Sequence, residues 1–180
     1  MIGKDVTLRD YFLSPGYIYI SEEPSLISTV VGSCVAVSLW DCHKERGAMA
    51  HFLYPSTDER SQASARYGNV AIQYLVKLFL ADGSKIKNLR AQVFGGAISP
   101  LGGCERIGSE NVRMARRQLN RRRIPVVSED VGGSMGRKIV YNTLKNEAIV
   151  YKVNHLRKGD WYPYIQEGRY GEKNKSSHCR

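Results

Sequence analysis

A cysteine at the head of one apolar run and a histidine in the next carry the clearest chemical signal in this 180-residue chain. Cys34 closes Ser28-Thr29-Val30-Val31-Gly32-Ser33-Cys34, and His51 closes Gly47-Ala48-Met49-Ala50-His51. A thiol reacts through its thiolate, which is scarce at neutral pH, so a cysteine hydrolase needs a base beside the nucleophile. An imidazole can take that proton and later return it to the leaving group. Gly32 and Ser33 leave room for a substrate to approach the backbone, and the N–H groups of Cys34 and its neighbours are candidates for holding an oxyanion. Ser28 and Thr29 supply hydroxyls, either of which can orient His51. A plainer reading stands beside this one: a lone cysteine is usually a small buried hydrophobe, and a lone strand histidine is usually structural. Spacing leaves both open.

The pairing depends on the elements that carry the two residues. Residues 34–40 and 48–54 read as strands rich in β-branched and apolar residues, separated by the polar, turn-like 41–47 and stopped by Pro55. A hairpin loop centred between Cys42 and His43 sets Cys34 directly opposite His51, with Cβ atoms ~4.5–5.5 Å apart. A two-residue offset leaves them diagonal on one face, ~7–8 Å apart. A one-residue slip would put them on opposite faces.

Further strands are expected at 17–20, 90–94, 124–128, 137–141 and 147–153. The polar stretch 56–66 reads as a rim or lid. A helix is expected over 67–81, with Tyr67, Val70, Ala71, Tyr74, Leu75, Leu78 and Phe79 as its apolar stripe and Gly83 as its stop. A second helix is expected over 109–123, with Val112, Ala115 and Leu119 inward and its arginines outward. Neighbouring strands without helical crossovers argue against a doubly wound parallel sheet. The expected fold is a single α+β domain over 1–153, with layered mixed β-sheets packed against two main helices. The basic, polar tail over 154–180 is expected to be mobile.

Composition narrows the classes. No apolar run approaches the ~18–20 residues of a membrane span, and the N-terminus shows no signal-peptide core, so a cytoplasmic protein without membrane insertion is expected. The four cysteines, 34, 42, 104 and 179, form no C-x-x-C pair, and Cys42-His43 lacks a partner motif. No metal, no cofactor and no disulfide framework is expected. The net charge of +10 raises nucleic acid as a partner, but the charge gathers on one helix face and in the tail, without an aromatic-basic RNA signature. No nucleic-acid partner is expected; a solvated helix face with a polar tail and an acidic protein partner fit the charge equally well.

Two glycine clusters, Phe94-Gly95-Gly96-Ala97 and Asp130-Val131-Gly132-Gly133-Ser134-Met135-Gly136-Arg137, match neither nucleotide-loop pattern and read as tight turns supporting a site. Asp130 and Arg137 can hold substrate or form a turn-stabilising ion pair. Cys-before-His order fits papain-like hydrolases, but the spacing is far too short for them.

Several segments together resemble the CheD family, the chemoreceptor glutamine deamidases. They are Val31-Gly32-Ser33-Cys34-Val35-Ala36-Val37, Gly47-Ala48-Met49-Ala50-His51-Phe52-Leu53-Tyr54-Pro55, Arg66-Tyr67-Gly68 and Val93-Phe94-Gly95-Gly96-Ala97. Ile107-Gly108 with Asn111, and Asp130-Val131-Gly132-Gly133 with Gly136-Arg137-Lys138, complete the set in family order. The resemblance implies a layered α+β fold similar to deamidating-toxin cysteine hydrolases. It implies hydrolysis of receptor glutamine amides to glutamate, and hydrolysis of receptor glutamyl methyl esters. Cys34 matches the family nucleophile and His51 the family histidine. The family's helper is a threonine six positions before the cysteine; that position is Ser28, slightly favoured here over its neighbour Thr29. The implied partners are the cytoplasmic domains of methyl-accepting chemoreceptors, whose acidic helices suit a basic protein, and a CheC-type phosphatase. The alternative is a basic adaptor acting through such a phosphatase or RNA, without catalysis.

Overall fold

The computed structural model describes residues 7–98 and 105–154; Cys104, Cys179 and the tail beyond Asn154 lie outside them. Nine strands and two α-helices follow in the order β1 (Arg9–Phe12), β2 (Tyr17–Ile20), β3 (Ser25–Val31), β4 (Val35–Asp41), β5 (Arg46–Phe52), α1 (Gly68–Ala81), β6 (Leu89–Gly95), α2 (Glu105–Arg121), β7 (Val126–Val131), β8 (Gly136–Asn142) and β9 (Glu147–Val153). They build two mixed sheets, β1-β3-β8-β9 and β2-β5-β4-β6-β7. This is the expected α+β class.

The five-stranded sheet is the middle layer, and its central strands alternate between two cores. Val35, Val37 and Leu39 of β4, with Ala48, Ala50 and Phe52 of β5, face the helices. Ala36 of β4 and Met49 of β5 face the four-stranded sheet, where they meet Ile27, Val31, Ile139 and Tyr141. Burial on both faces explains why β4 and β5 read as nearly unbroken apolar runs. Among the described residues no helix is long and apolar enough to cross a membrane.

Helix α1 buries Ala71, Ile72, Leu75, Val76 and Phe79, whereas Tyr74 is 55% exposed. The expected stripe is therefore rotated by about one position. Tyr74 takes the wet edge, where its hydroxyl keeps water, and Ile72 and Val76 take the core. The helix stops at Gly83, whose φ of +81° suits glycine. Helix α2 buries Val112, Ala115 and Leu119 as expected. On its exposed side, Arg116 Nε and Nη2 donate to both carboxylate oxygens of Glu129 at 3.0 and 2.6 Å, tying α2 to β7.

Two strands are additions to the sequence reading: β1, a short edge strand parallel to β3, and β3 itself. Strand β3 carries Ser25 and Thr29 on its buried face in alternation with Ile27 and Val31, so its pattern does not look apolar. Both residues are satisfied: the Ser25 hydroxyl donates to the Glu23 carbonyl at 3.0 Å and its N–H to Thr143 Oγ1 at 2.8 Å, and Thr29 is bonded as described below.

Candidate active site

The β4–β5 hairpin positions the thiol and the imidazole. Asp41 pairs with Arg46 around a four-residue turn, in which Asp41 Oδ1 accepts the N–H groups of His43 and Lys44 and Glu45 is left-handed at φ 51°. This places the turn one residue later than the centre expected between Cys42 and His43. Ala36, not Cys34, therefore opposes His51. The direct pairing is corrected to the two-residue offset, which keeps Cys34 and His51 diagonal on one face, at a separation of ~7–8 Å that side chains can span. Both point toward the core between the sheets, where Cys34 packs half-buried.

His51 is fully buried. Its Nδ1 lies 2.8 Å from Thr29 Oγ1, and Thr29 donates its own hydroxyl hydrogen to the Leu13 carbonyl at 2.7 Å. With that hydrogen committed, Thr29 accepts from Nδ1–H. The proton therefore sits on Nδ1, and Nε2 keeps its lone pair. Nε2 is buried and has no partner among the described residues. The structure brings Thr29, and not Ser28, against His51. Neighbouring residues on a strand face opposite sides. Thr29 shares the inner side with Ile27 and Val31, while Ser28, opposite Val140, turns to the outer face. The alternation of Ile27, Thr29 and Val31 was the available signal.

Burial favours the neutral form of both Cys34 and His51. Burial pushes the Cys34 thiol up to about 11, against a smaller opposing pull from its own backbone N–H. Burial pushes His51 down to about 4, with the Leu13 carbonyl pulling weakly the other way. The stability consequence has a definite sign. The ordinary histidine value is 6.5, so below it the unfolded chain takes up a proton that the fold refuses. The stability linked to a neutral His51 is whole above pH 6.5 and is lost as the pH falls toward 4, by about 3 kcal/mol. Urea melts at pH 7 and pH 5 are expected to show a larger acid loss in the wild type than in His51→Gln; equal losses would refute this.

Glycine turns brace the Gly32-Ser33-Cys34 segment. Gly96 N–H donates to the Cys34 carbonyl, and Ala97 N–H to the Gly32 carbonyl, each at 2.8 Å. Gly95 sits at φ 109°, and a Cβ there would lie 2.4 Å from the Cys34 carbonyl oxygen. No other residue fits that approach. The second glycine turn supports the first, since Gly132 N–H donates to the Gly95 carbonyl. The Arg137 guanidinium is spent inside that second turn, on Asp130 and on the Gly132 and Met135 carbonyls at 2.7–2.9 Å. Asp130 and Arg137 are thus a turn clamp.

Beside β5, the 56–66 segment forms one 3-10 turn, Arg60–Gln62. With Tyr54, Pro55, Arg66 and Tyr67 it lines a cavity of about 560 Å³. Arg66 stacks over Tyr54, 5.8 Å from the ring centre. Among the described residues, no group of three or more His, Cys, Asp or Glu side chains could hold a metal ion.

The family model described as CheD chemotactic sensory transduction matches residues 53–152, more than half of the chain. The chain belongs to the CheD family. That match begins just after His51, and similarity to individual members extends further. A probable chemoreceptor glutamine deamidase CheD of Trichlorobacter lovleyi is 42% identical over 139 residues, covering 76% of this chain and 86% of that protein. The probable chemoreceptor glutamine deamidase CheD 1 of Anaeromyxobacter dehalogenans is 46% identical over 133 residues, covering 73% and 77%. The corresponding CheD 2 of Geobacter sulfurreducens is 30% identical over 156 residues, covering 86% and 96%. In this CheD-family chain, sequence reasoning gave no individual role to two groups beside the site, the Leu13 carbonyl and Asn111.

Proposed function

We propose that this protein is a chemoreceptor glutamine deamidase with Cys34 as nucleophile, His51 as base and acid, and Thr29 as the residue that orients His51. The observation that carries the mechanism is the buried Thr29–His51 hydrogen bond, which leaves Nε2 as a proton acceptor on the face that also carries Cys34. With a neutral thiol at rest, proton transfer accompanies attack. Cys34 Sγ bonds to the glutamine amide carbon as its proton passes to His51 Nε2, and the carbonyl electron pair moves onto oxygen. Backbone N–H groups around Cys34 hold that oxyanion. As the oxyanion collapses, the C–N bond breaks and the imidazolium hands its proton to the departing nitrogen, releasing ammonia. Water then attacks the thioester while His51 takes its proton. Glutamate leaves and the thiol is restored.

Receptor glutamyl methyl esters would pass through the same steps, with methanol in place of ammonia. The net charge of +10 supports an acidic receptor segment as substrate, with attraction that falls as salt rises. The reading also carries a CheC-type phosphatase as partner, on the family resemblance. Incubation with cytoplasmic fragments of the organism's own receptors is expected to give a one-dalton mass gain at particular glutamines. No gain on any receptor would overturn the activity.

A further inference from the structure

Asn111 is fully buried on α2, yet both amide hydrogens leave the helix. Nδ2 donates to the Ser33 carbonyl at 2.9 Å and to the Leu53 carbonyl at 2.8 Å. One side chain therefore joins the peptide entering Cys34 to the strand end two residues beyond His51. Oδ1 is buried without a partner among the described residues, so the two donor contacts set the amide's orientation. Two glycines bring the helix close enough. A Cβ on Gly108 would fall 2.4 Å from the Ala97 carbonyl oxygen, and one on Gly96 would fall 2.5 Å from the Gly108 carbonyl oxygen.

Three successive carbonyls, of Gly32, Ser33 and Cys34, are thus held by Ala97 N–H, Asn111 Nδ2 and Gly96 N–H. A trans peptide is planar, with its C=O and the following N–H pointing opposite ways. Anchoring the Gly32 and Ser33 carbonyls therefore turns the Ser33 and Cys34 N–H groups away from their anchors. Neither N–H has a backbone acceptor among the described residues. Two adjacent N–H groups without backbone acceptors, beside the Cys34 sulfur, have the makings of an oxyanion hole.

We propose that Asn111 is a positioning residue that sets the Ser33–Cys34 peptide so that the Cys34 N–H receives the oxyanion, beside the Ser33 N–H that the Gly32 anchor sets. The proposal rests on the Cys34 chemistry above. It acts through the backbone, so Asn111 itself touches no substrate.

The test compares two reactions of the same thiol in wild type, Asn111→Asp and Asn111→Ser. Deamidation of a receptor fragment passes through an oxyanion. Alkylation by iodoacetamide does not, and reads only the thiol's placement and basicity. Asn111→Asp is isosteric and turns an acceptor toward the two carbonyls. Its kcat is expected to fall about 10²–10³-fold, the loss typical of an oxyanion donor, with KM and the alkylation rate unchanged. Asn111→Ser retains one donor for two carbonyls and is expected to lose less; it carries the test if the aspartate variant does not fold. Wild-type kcat in a folded variant, or alkylation falling by the same factor as kcat, overturns the proposal. A wild-type protein that deamidates no receptor overturns the deamidase reading and this proposal with it.

Discussion

Cys34→Ala is expected to lose receptor deamidation by at least about 10³-fold while the protein melts within a few degrees of the wild type. The chemical loss is large because alanine has no nucleophilic atom with which to form the thioester. Of the remaining cysteines whose placement is described, Cys42 lies exposed at the far end of the hairpin. The structural loss is small because, among the described residues, no other side chain hydrogen-bonds the half-buried thiol, and alanine keeps its β-carbon against the inter-sheet core. The pKa values sharpen the expectation. With the thiol near 11 and His51 near 4, the resting site holds no thiolate–imidazolium pair. Alkylation of Cys34 is therefore expected to stay slow at pH 7–8 and to climb steeply toward pH 11. Mass spectrometry of the receptor and a thermal melt decide the first part. Deamidation retained by Cys34→Ala would overturn the mechanism, and receptor regulation surviving without catalysis would favour an adaptor.

Thr29→Val is expected to cost both stability and activity, whereas Ser28→Ala is expected to cost little of either. Valine matches threonine in shape but removes the one oxygen that bonds His51 Nδ1 and the Leu13 carbonyl. Both partners then lose their hydrogen bond to Thr29 in a buried site, and a buried group left unpaired costs about 1–3 kcal/mol. Without its acceptor, Nδ1–H loses its advantage over the other tautomer, and Nε2 is no longer reliably free to take the thiol proton. A fall in kcat of about 10²-fold is expected, with KM nearly constant. Ser28 faces away from His51, opposite Val140. The two variants, compared by urea melts and by kcat against KM, separate adjacent hydroxyls. Equal kcat losses, or a loss confined to Ser28→Ala, would refute the Thr29 assignment.

Much of the local architecture was legible in the sequence. Residues 17–20 and 147–153 form strands with the bounds that their alternation implied, and the first helix lies within one residue of its expected start. Cys34 and His51 stood out because each follows a glycine-marked turn or strand, and those signals are local. The hairpin register was out by two positions because Asp41 caps a turn whose fourth residue is left-handed, which composition does not announce. Strands β1 and β3 were not legible. One is a four-residue edge, and the other buries the Thr29 hydroxyl, which partners 16 and 22 residues away satisfy.

The chain's own residues therefore determined the α+β class, the glycine turns, and a thiol and an imidazole on successive strands of one hairpin. Those features follow from periodicity and from glycine's conformational range, which act over a few residues. Tertiary structure decided which hydroxyl meets His51, across 22 residues, and which amide holds Ser33, across 78. A strand's alternation offers Ser28 and Thr29 to opposite faces but does not say which face another sheet will cover. That choice is made when the two sheets pack, because only then does one hydroxyl lose water and find the imidazole in its place.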